Sequence, residues 1–191
     1  MTWPWRKVAP KVDPPTSTEL ARSLLVSRAV LRRTHEYFLP YWSAGVETAC
    51  FWFGVDAGHL QVVTTVAAPK LYQTPGNYSV EMTSLRRLAA AMRANGLTNM
   101  AQLHTHPSDW VDHSPHDDER AYSTREGALS LVWACYGSQM CHDLSGIGVQ
   151  ERRGEEWVRL SEAETANRIR LVDDFADFRW EIKGGGIRND E

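Results

Sequence analysis

The chain has 191 residues, 42% hydrophobic and 24% charged, with a formal net charge of −3. That is enough apolar material for one soluble domain with a sizeable core, and so small a charge supplies no global field to recruit nucleic acid or an anionic membrane. The three cysteines, Cys50, Cys135 and Cys141, are an odd count with no Cys-x-x-Cys spacing, so free thiols are expected and neither a disulfide frame nor a thiolate metal site is.

Residues 1–18 contain Pro4, Pro10, Pro14 and Pro15. These withhold backbone donors and resist both helix and central strand, so an extended N-terminal arm is expected. Trp3 and Trp5 lie on it and receive no function. The opening residues lack the apolar core of a secretory signal, and no run is long enough to span a bilayer, which points to the cytoplasm. Residues 23–27 read as a short strand. Ser27 then caps a helix to about Leu39, with Val30, Leu31, His35 and Phe38 at helical spacing and Pro40 as its stop. Residues 46–54 and 60–67 are apolar, valine- and aromatic-rich runs joined by a turn at Asp56, Ala57, Gly58 and His59, which reads as a hairpin with Glu47 near its start.

Residues 69–79, with Pro69, Pro75 and Gly76, read as a loop. Residues 81–95 read as a helix ended by Gly96, with Arg86, Arg87 and Arg93 on a solvated face. A strand over residues 100–106 ends at Pro107. Residues 117–124 suggest a short helix and 128–136 a buried strand. A second hairpin, 147–151 with 156–160, turns at Arg153 and Gly154. Ser161, with Glu164 three residues later, caps a helix expected to reach Asp174. Residues 176–191, with Gly184, Gly185 and Gly186, form a tail that is flexible by composition. The elements between residues 19 and 175 add up to one α/β domain, a mixed β-sheet sandwiched by helices.

The chemistry concentrates between His104 and Asp117. Residues at i and i+2 of a strand leave the same face, so the imidazoles of His104 and His106 converge. Two neutral imidazoles make half of a tetrahedral zinc site, and Asp117 can return after the intervening loop as a third donor. Three protein ligands leave the fourth position open, which is the arrangement of a catalytic site. Asp109, Asp112, His113, His116 and Asp118 are also donors by chemistry, and one of them could orient a ligand.

His104-x-His106, seven residues, Ser114, two residues and Asp117 make up a pattern that resembles the signature of the JAB/JAMM (MPN-plus) metalloproteases, with no departure in spacing. Glu47, at the head of an upstream apolar run, fits the glutamate that family requires. The resemblance covers about residues 23–160 and agrees with the family's cytidine-deaminase-like α/β fold. It implies one zinc ion per chain held by His104, His106 and Asp117, with Glu47 transferring protons and Ser114 donating to the oxyanion. Ser114 is placed equally well to cap the helix that Asp117 starts.

The implied activity is hydrolysis of the isopeptide or peptide bond after the C-terminal glycine of a ubiquitin-like protein or its conjugate. The loop at 69–79 is the candidate for substrate contact. The compact chain looks like the stand-alone bacterial members that resemble deubiquitinases and work in ubiquitin-like modification and antiphage pathways. The alternatives are a peptidase that processes a sulfur-carrier or phage-tail protein, and a non-catalytic MPN-type scaffold. A DNA-repair relative shares the His-x-His-Pro-Ser pattern, but no helix-hairpin-helix appendage is visible here. Neither nucleic acid nor membrane is an expected partner, and the sequence does not define the oligomeric state.

Overall fold

A computed structural model describes residues 23–58, 60–139 and 142–173. The arm expected at 1–18 and the tail expected at 176–191 lie outside the described residues. Strand β1 (Ser23–Ser27) leads into helix α1 (Arg28–Ala44). Ser27 accepts from the Val30 N–H at 3.3 Å, the N-cap that the sequence indicates. Pro40 does not stop α1 but lies inside it. A proline there withholds a donor and crowds the carbonyl four residues back, which weakens a helix, yet α1 runs one further turn past it. The break comes at Gly45, where φ of 64° lets the N–H turn back to the Trp42 carbonyl.

Strands β2 (Ala49–Asp56) and β3 (Leu60–Ala67) form the expected antiparallel hairpin. Glu47 lies just ahead of β2 rather than on it. Residues expected to form a loop instead form a small two-stranded hairpin, β4 (Leu71–Thr74) with β5 (Asn77–Val80). The Pro75-Gly76 pair is its turn, and the short tyrosine-bearing flanks pair across it. Helix α2 (Met82–Ala94) follows, with the Glu81 carboxylate accepting from the Thr83 and Ser84 N–H groups. Strand β6 (Thr98–Thr105) carries the first histidine of the motif, and α3 (Pro115–Glu119) follows the loop after it.

Strand β7 (Leu129–Trp133) ends in a 3-10 turn, and β8 (Gly148–Arg153) pairs with β9 (Glu156–Arg159). Ser161 and Glu164 form the capping box of α4 (Glu162–Arg168). This helix does not reach Asp174. It gives way to a strand, β10 (Ile169–Val172), that pairs in parallel with β1. The chain switches there because Ile169 is buried beside Leu24, a partner that only an extended segment can offer.

Eight strands form one mixed sheet in the order β10-β1-β3-β2-β6-β7-β8-β9. This is the α/β architecture expected, a mixed sheet with helices packed against it. Side chains alternate across it. Cys50, Trp52, Leu103, Leu131 and Trp133 pack with α1 into the apolar core. There the Trp52 indole donates to Thr34 at 2.9 Å and Phe38 meets Trp133 edge-on at 5.5 Å. The opposite face of the central strands presents Gln102, His104 and Ser130, all buried. Cys50 and Cys135 are free thiols, and Cys141 lies outside the described residues. Among the described residues no helix is long and apolar enough to cross a membrane.

Candidate metal centre

The parallel register of β6 with β7 sets His104 beside Val132, and the His106 N–H extends that pairing to the Trp133 carbonyl at 2.8 Å. The two histidines therefore leave one face of a strand held in the middle of the sheet. Their Nε2 atoms are 3.2 Å apart. The Asp117 carboxylate lies 3.4 Å from each, Oδ1 facing His104 and Oδ2 facing His106. With one atom counted from each residue, the three donors fall within 4.8 Å of one another.

These distances test whether a metal fits. Bonds of about 2.0–2.1 Å meeting at the tetrahedral angle put donor atoms about 3.3 Å apart. The observed separations are of that size, and two ring nitrogens aimed at one carboxylate is an arrangement a shared cation satisfies. The donor set, two imidazoles and a carboxylate, suits a divalent transition metal.

The neighbours orient the donors. His106 Nδ1 lies 3.0 Å from the Trp110 carbonyl. Since a carbonyl only accepts, Nδ1 carries the proton and the Nε2 lone pair is left for an ion. The Trp110 ring stacks on His106 at 5.1 Å. Asp117 is fixed from the other side, its Oδ2 accepting from the Ser114 N–H at 2.7 Å and the Ser114 hydroxyl at 2.6 Å. Ser114 is thus the N-cap of α3, in a capping box with Asp117, and it also borders the cleft. Without an ion, burial alone would raise the Asp117 carboxyl, but the two imidazoles, when they carry their protons on Nε2, and Ser114 hold it well below the usual carboxylate range. Burial pushes the His104 imidazole down, whereas for His106 the Asp117 carboxylate and the Trp110 carbonyl outweigh burial and push it up.

Two consecutive strained residues grip the loop from beneath. Cys135 and Tyr136 adopt φ of 50° and 56°, a left-handed conformation that costs roughly 1–2 kcal/mol for a residue with a Cβ. It aims their N–H groups at the carbonyls of Ser108 and His106, at 2.8 and 2.7 Å. Farther along, a Cβ at Gly148 would sit 1.8 Å from the Val111 carbonyl oxygen, so only glycine admits the loop there. That carbonyl accepts from Gln150 at 3.0 Å and Arg159 at 2.8 Å.

Glu47 joins the site from the segment ahead of β2. Thr48 and Thr105 hold that segment to the ligand strand, the Thr105 N–H donating to the Thr48 carbonyl at 3.0 Å and the Thr48 N–H to the Thr105 hydroxyl at 3.1 Å. The Glu47 N–H donates to Thr74 of the small hairpin at 2.9 Å. Its carboxyl is buried, and that burial, against the lowering by His106 and with a further rise from Asp117, pushes its pKa up to about 7. Glu47, His106, Ser114 and Asp117 open onto a cleft of about 420 Å³ whose other walls include Gly76, Asn77 and Trp110.

Of the other donors in the motif, Asp112 pairs with Arg159 at 2.8 Å and His113 with Asp118 at 2.8 Å. Neither pair belongs to the three-donor cluster. Sequence reasoning missed the Trp110 carbonyl and the paired left-handed residues, and it gave the candidate substrate-contact segment at 69–79, which supplies Gly76 and Asn77 to the cleft, as a loop rather than a hairpin. Only the last left a signal, the Pro75-Gly76 turn between tyrosine-bearing flanks.

No family model matches the chain. It is 29% identical over 121 residues, spanning 61% of this chain and 74% of the relative, to the probable metalloprotease y4jG of Sinorhizobium fredii. The solution structure of protein DSY2949 from Desulfitobacterium hafniense superposes with a TM-score of 0.57 at 16% identity, covering 79% of this chain and 94% of that one. This likeness shows a shared fold. AF2198, a JAB1/MPN domain protein from Archaeoglobus fulgidus, gives a TM-score of 0.44 at 15% identity over 80% of this chain and 98% of that one.

Proposed function

We propose that this chain, which resembles the JAB/JAMM metalloproteases in its motif and in the geometry of its His104, His106 and Asp117 donors, is a zinc-dependent peptidase. It hydrolyses the bond after the C-terminal glycine of a ubiquitin-like protein, as a conjugate or a precursor, in a bacterial cytoplasmic modification or antiphage pathway. The observation that carries the reading is the trio of donors spaced for one tetrahedral ion beside an acidic side chain in an open cleft. The sequence likeness to a probable metalloprotease supports it.

Zinc held by those residues would supply Lewis acidity and an ionised water at neutral pH. The chain's own residues do the rest. Glu47, buried at the cleft floor with its pKa near neutrality, takes the proton from the attacking water and returns it to the departing amine, a role that needs both protonation states at working pH. Ser114 keeps Asp117 in place through its two hydrogen bonds to Oδ2. The hydroxyl carries a single proton, so Ser114 donates to the developing oxyanion only by turning that proton away from Oδ2 and leaving its backbone N–H to hold Asp117.

The substrate reading rests on the shape of the approach. Gly76 and Asn77 form one wall and the half-exposed Trp110 ring belongs to another, so a narrow tail ending in glycines fits where bulkier residues would meet the indole. Beside it, β4 and β5 form a two-stranded sheet to which an extended tail can add as a further strand. The test is a fusion of a ubiquitin-like protein ending in Gly-Gly to a reporter. Cleavage after the last glycine, lost on chelation and restored by zinc, is expected. An uncut fusion, or cleavage indifferent to chelator, would overturn the proposal.

A further inference from the structure

Helix α3 carries Asp117, yet it has only five residues and none of them is buried. A helix this short has no stability of its own, and the Ser114 cap ties Asp117 only to its own helix. Something outside α3 must fix its position on the sheet, and the one aromatic contact nearby, Tyr122 edge-on to Phe51 at 5.5 Å, lies beyond the helix on its C-terminal side and leaves the N-terminal side unheld.

A chain of hydrogen bonds across the metal face is the best-placed candidate. The Tyr122 N–H, just after α3, donates to Gln102 Oε1 at 2.9 Å. Gln102 Nε2 donates to the Ser130 hydroxyl at 3.1 Å. Ser130 Oγ lies 2.8 Å from His113 Nε2, and His113 Nδ1 lies 2.8 Å from Asp118 Oδ1. The direction of the chain follows from its ends. The Asp118 carboxylate only accepts, so His113 carries its proton on Nδ1, its Nε2 accepts from the Ser130 hydroxyl, and Ser130 accepts from Gln102.

Gln102 and Ser130 are buried on the central strands β6 and β7, and the His113 side chain is 5% exposed. The chain therefore straps both ends of α3, at His113 and Tyr122, and its middle, at Asp118, to the strand that bears His104. Although Asp118, His113 and Ser130 are connected as a nucleophilic triad would be, Ser130 is fully buried and cannot reach a substrate.

We propose that His113, with Ser130 and Gln102 behind it, is a positioning residue that places Asp117 against the two histidines. The inference rests on the metal-site reading and adds to it the device that makes the third ligand converge. Removing His113 frees the N-terminal side of α3 and Asp118 and leaves Tyr122, on Gln102 and Phe51, as the remaining tie, so Asp117 is loosened as a ligand while the histidines stay where β6 holds them.

The experiment compares wild type, His113→Ala, Ser130→Ala, Asp118→Ala and Asp118→Asn, by cobalt(II) titration against a competing chelator and by amide hydrogen exchange of the metal-free proteins. His113→Ala is expected to weaken cobalt binding about 10–100-fold, alter the cobalt d–d spectrum and speed exchange at the Asp117, Asp118 and Arg120 amides. Combining it with Ser130→Ala should add little, because both remove the same connection. Asp118→Asn keeps an acceptor for Nδ1–H and should recover most of what Asp118→Ala loses.

A His113→Ala protein that melts at a lower temperature yet binds cobalt and exchanges at α3 like wild type would overturn the inference, since that pattern marks a merely structural residue. A wild-type protein that takes up no cobalt would instead remove the metal reading. The exchange at α3, measured without metal, would then still decide whether His113 holds the helix.

Discussion

The two faces of the central strands are built from alternate residues of one short sequence and follow opposite rules. On β6, Ala101, Leu103 and Thr105 turn toward α1, whereas Gln102 and His104 turn away from it. Next to them on β7, Leu131 and Trp133 share the first face and Ser130 the second. The α1 face is held mainly by apolar contact, the other by directed hydrogen bonds that fix angles as well as positions. The first face makes the strands rigid, and the second spends that rigidity on aiming imidazoles and a carboxylate. Damage to the two faces should therefore separate into lost stability and lost chemistry.

The largest separation is expected from the donors. His104→Ala combined with His106→Ala should bring bound zinc close to zero and abolish turnover, read by metal analysis and by the cleavage assay, with the fold retained by circular dichroism. Retention of stoichiometric zinc would show that the ion sits elsewhere. Glu47→Gln sharpens the contrast within the same face. Turnover should fall about 10²–10⁴-fold, the usual contribution of a positioned proton-transfer group, while zinc content stays as in wild type. Full turnover in this variant would remove Glu47 from the chemistry, and loss of zinc would make it part of the metal's support.

On the other face, Leu103→Ala empties a fully buried site and should cost about 2–5 kcal/mol of stability, measured by urea denaturation. The protein that remains folded should bind zinc as tightly as before. The smallest effect concerns pH. The Glu47 carboxyl is pushed up to about 7 from an unfolded value of 4.5, so in metal-free protein the folded state holds this proton more tightly than the unfolded one. The stability it contributes is complete below pH 4.5 and is lost as pH rises through about 7. Wild type minus Glu47→Gln, compared by denaturant melts from pH 4.5 to 8 in chelator, should therefore decline by about 2–3 kcal/mol. A flat difference would mean that the carboxyl is not buried.

Legibility followed the same division. His104 and His106 could be read because strand periodicity puts them on one face, Asp117 and Ser114 because the motif resembles that of the JAB/JAMM metalloproteases, and the Ser161 cap and the Gly58 and Gly154 turns because local chemistry sets them. What failed depended on distant partners. Strand β10 exists because β1 needs an outer neighbour, which no window around Ile169 displays. Pro40 marked a stop that the helix passes. The strap through His113, Ser130 and Gln102 joins residues far apart in sequence, and from the sequence His113 was one unplaced donor among five.

On the proposed function, two imidazoles and one carboxylate, and no fourth side chain, hold the metal. Anomalous diffraction at the zinc edge from crystals of the zinc-loaded protein tests it most directly. One peak per chain is predicted, about 2.0–2.2 Å from His104 Nε2, His106 Nε2 and an Asp117 oxygen, with the remaining position turned toward the cleft and Glu47. No peak at this trio, or a peak closed by a fourth protein donor such as Glu47 or His116, would contradict the account.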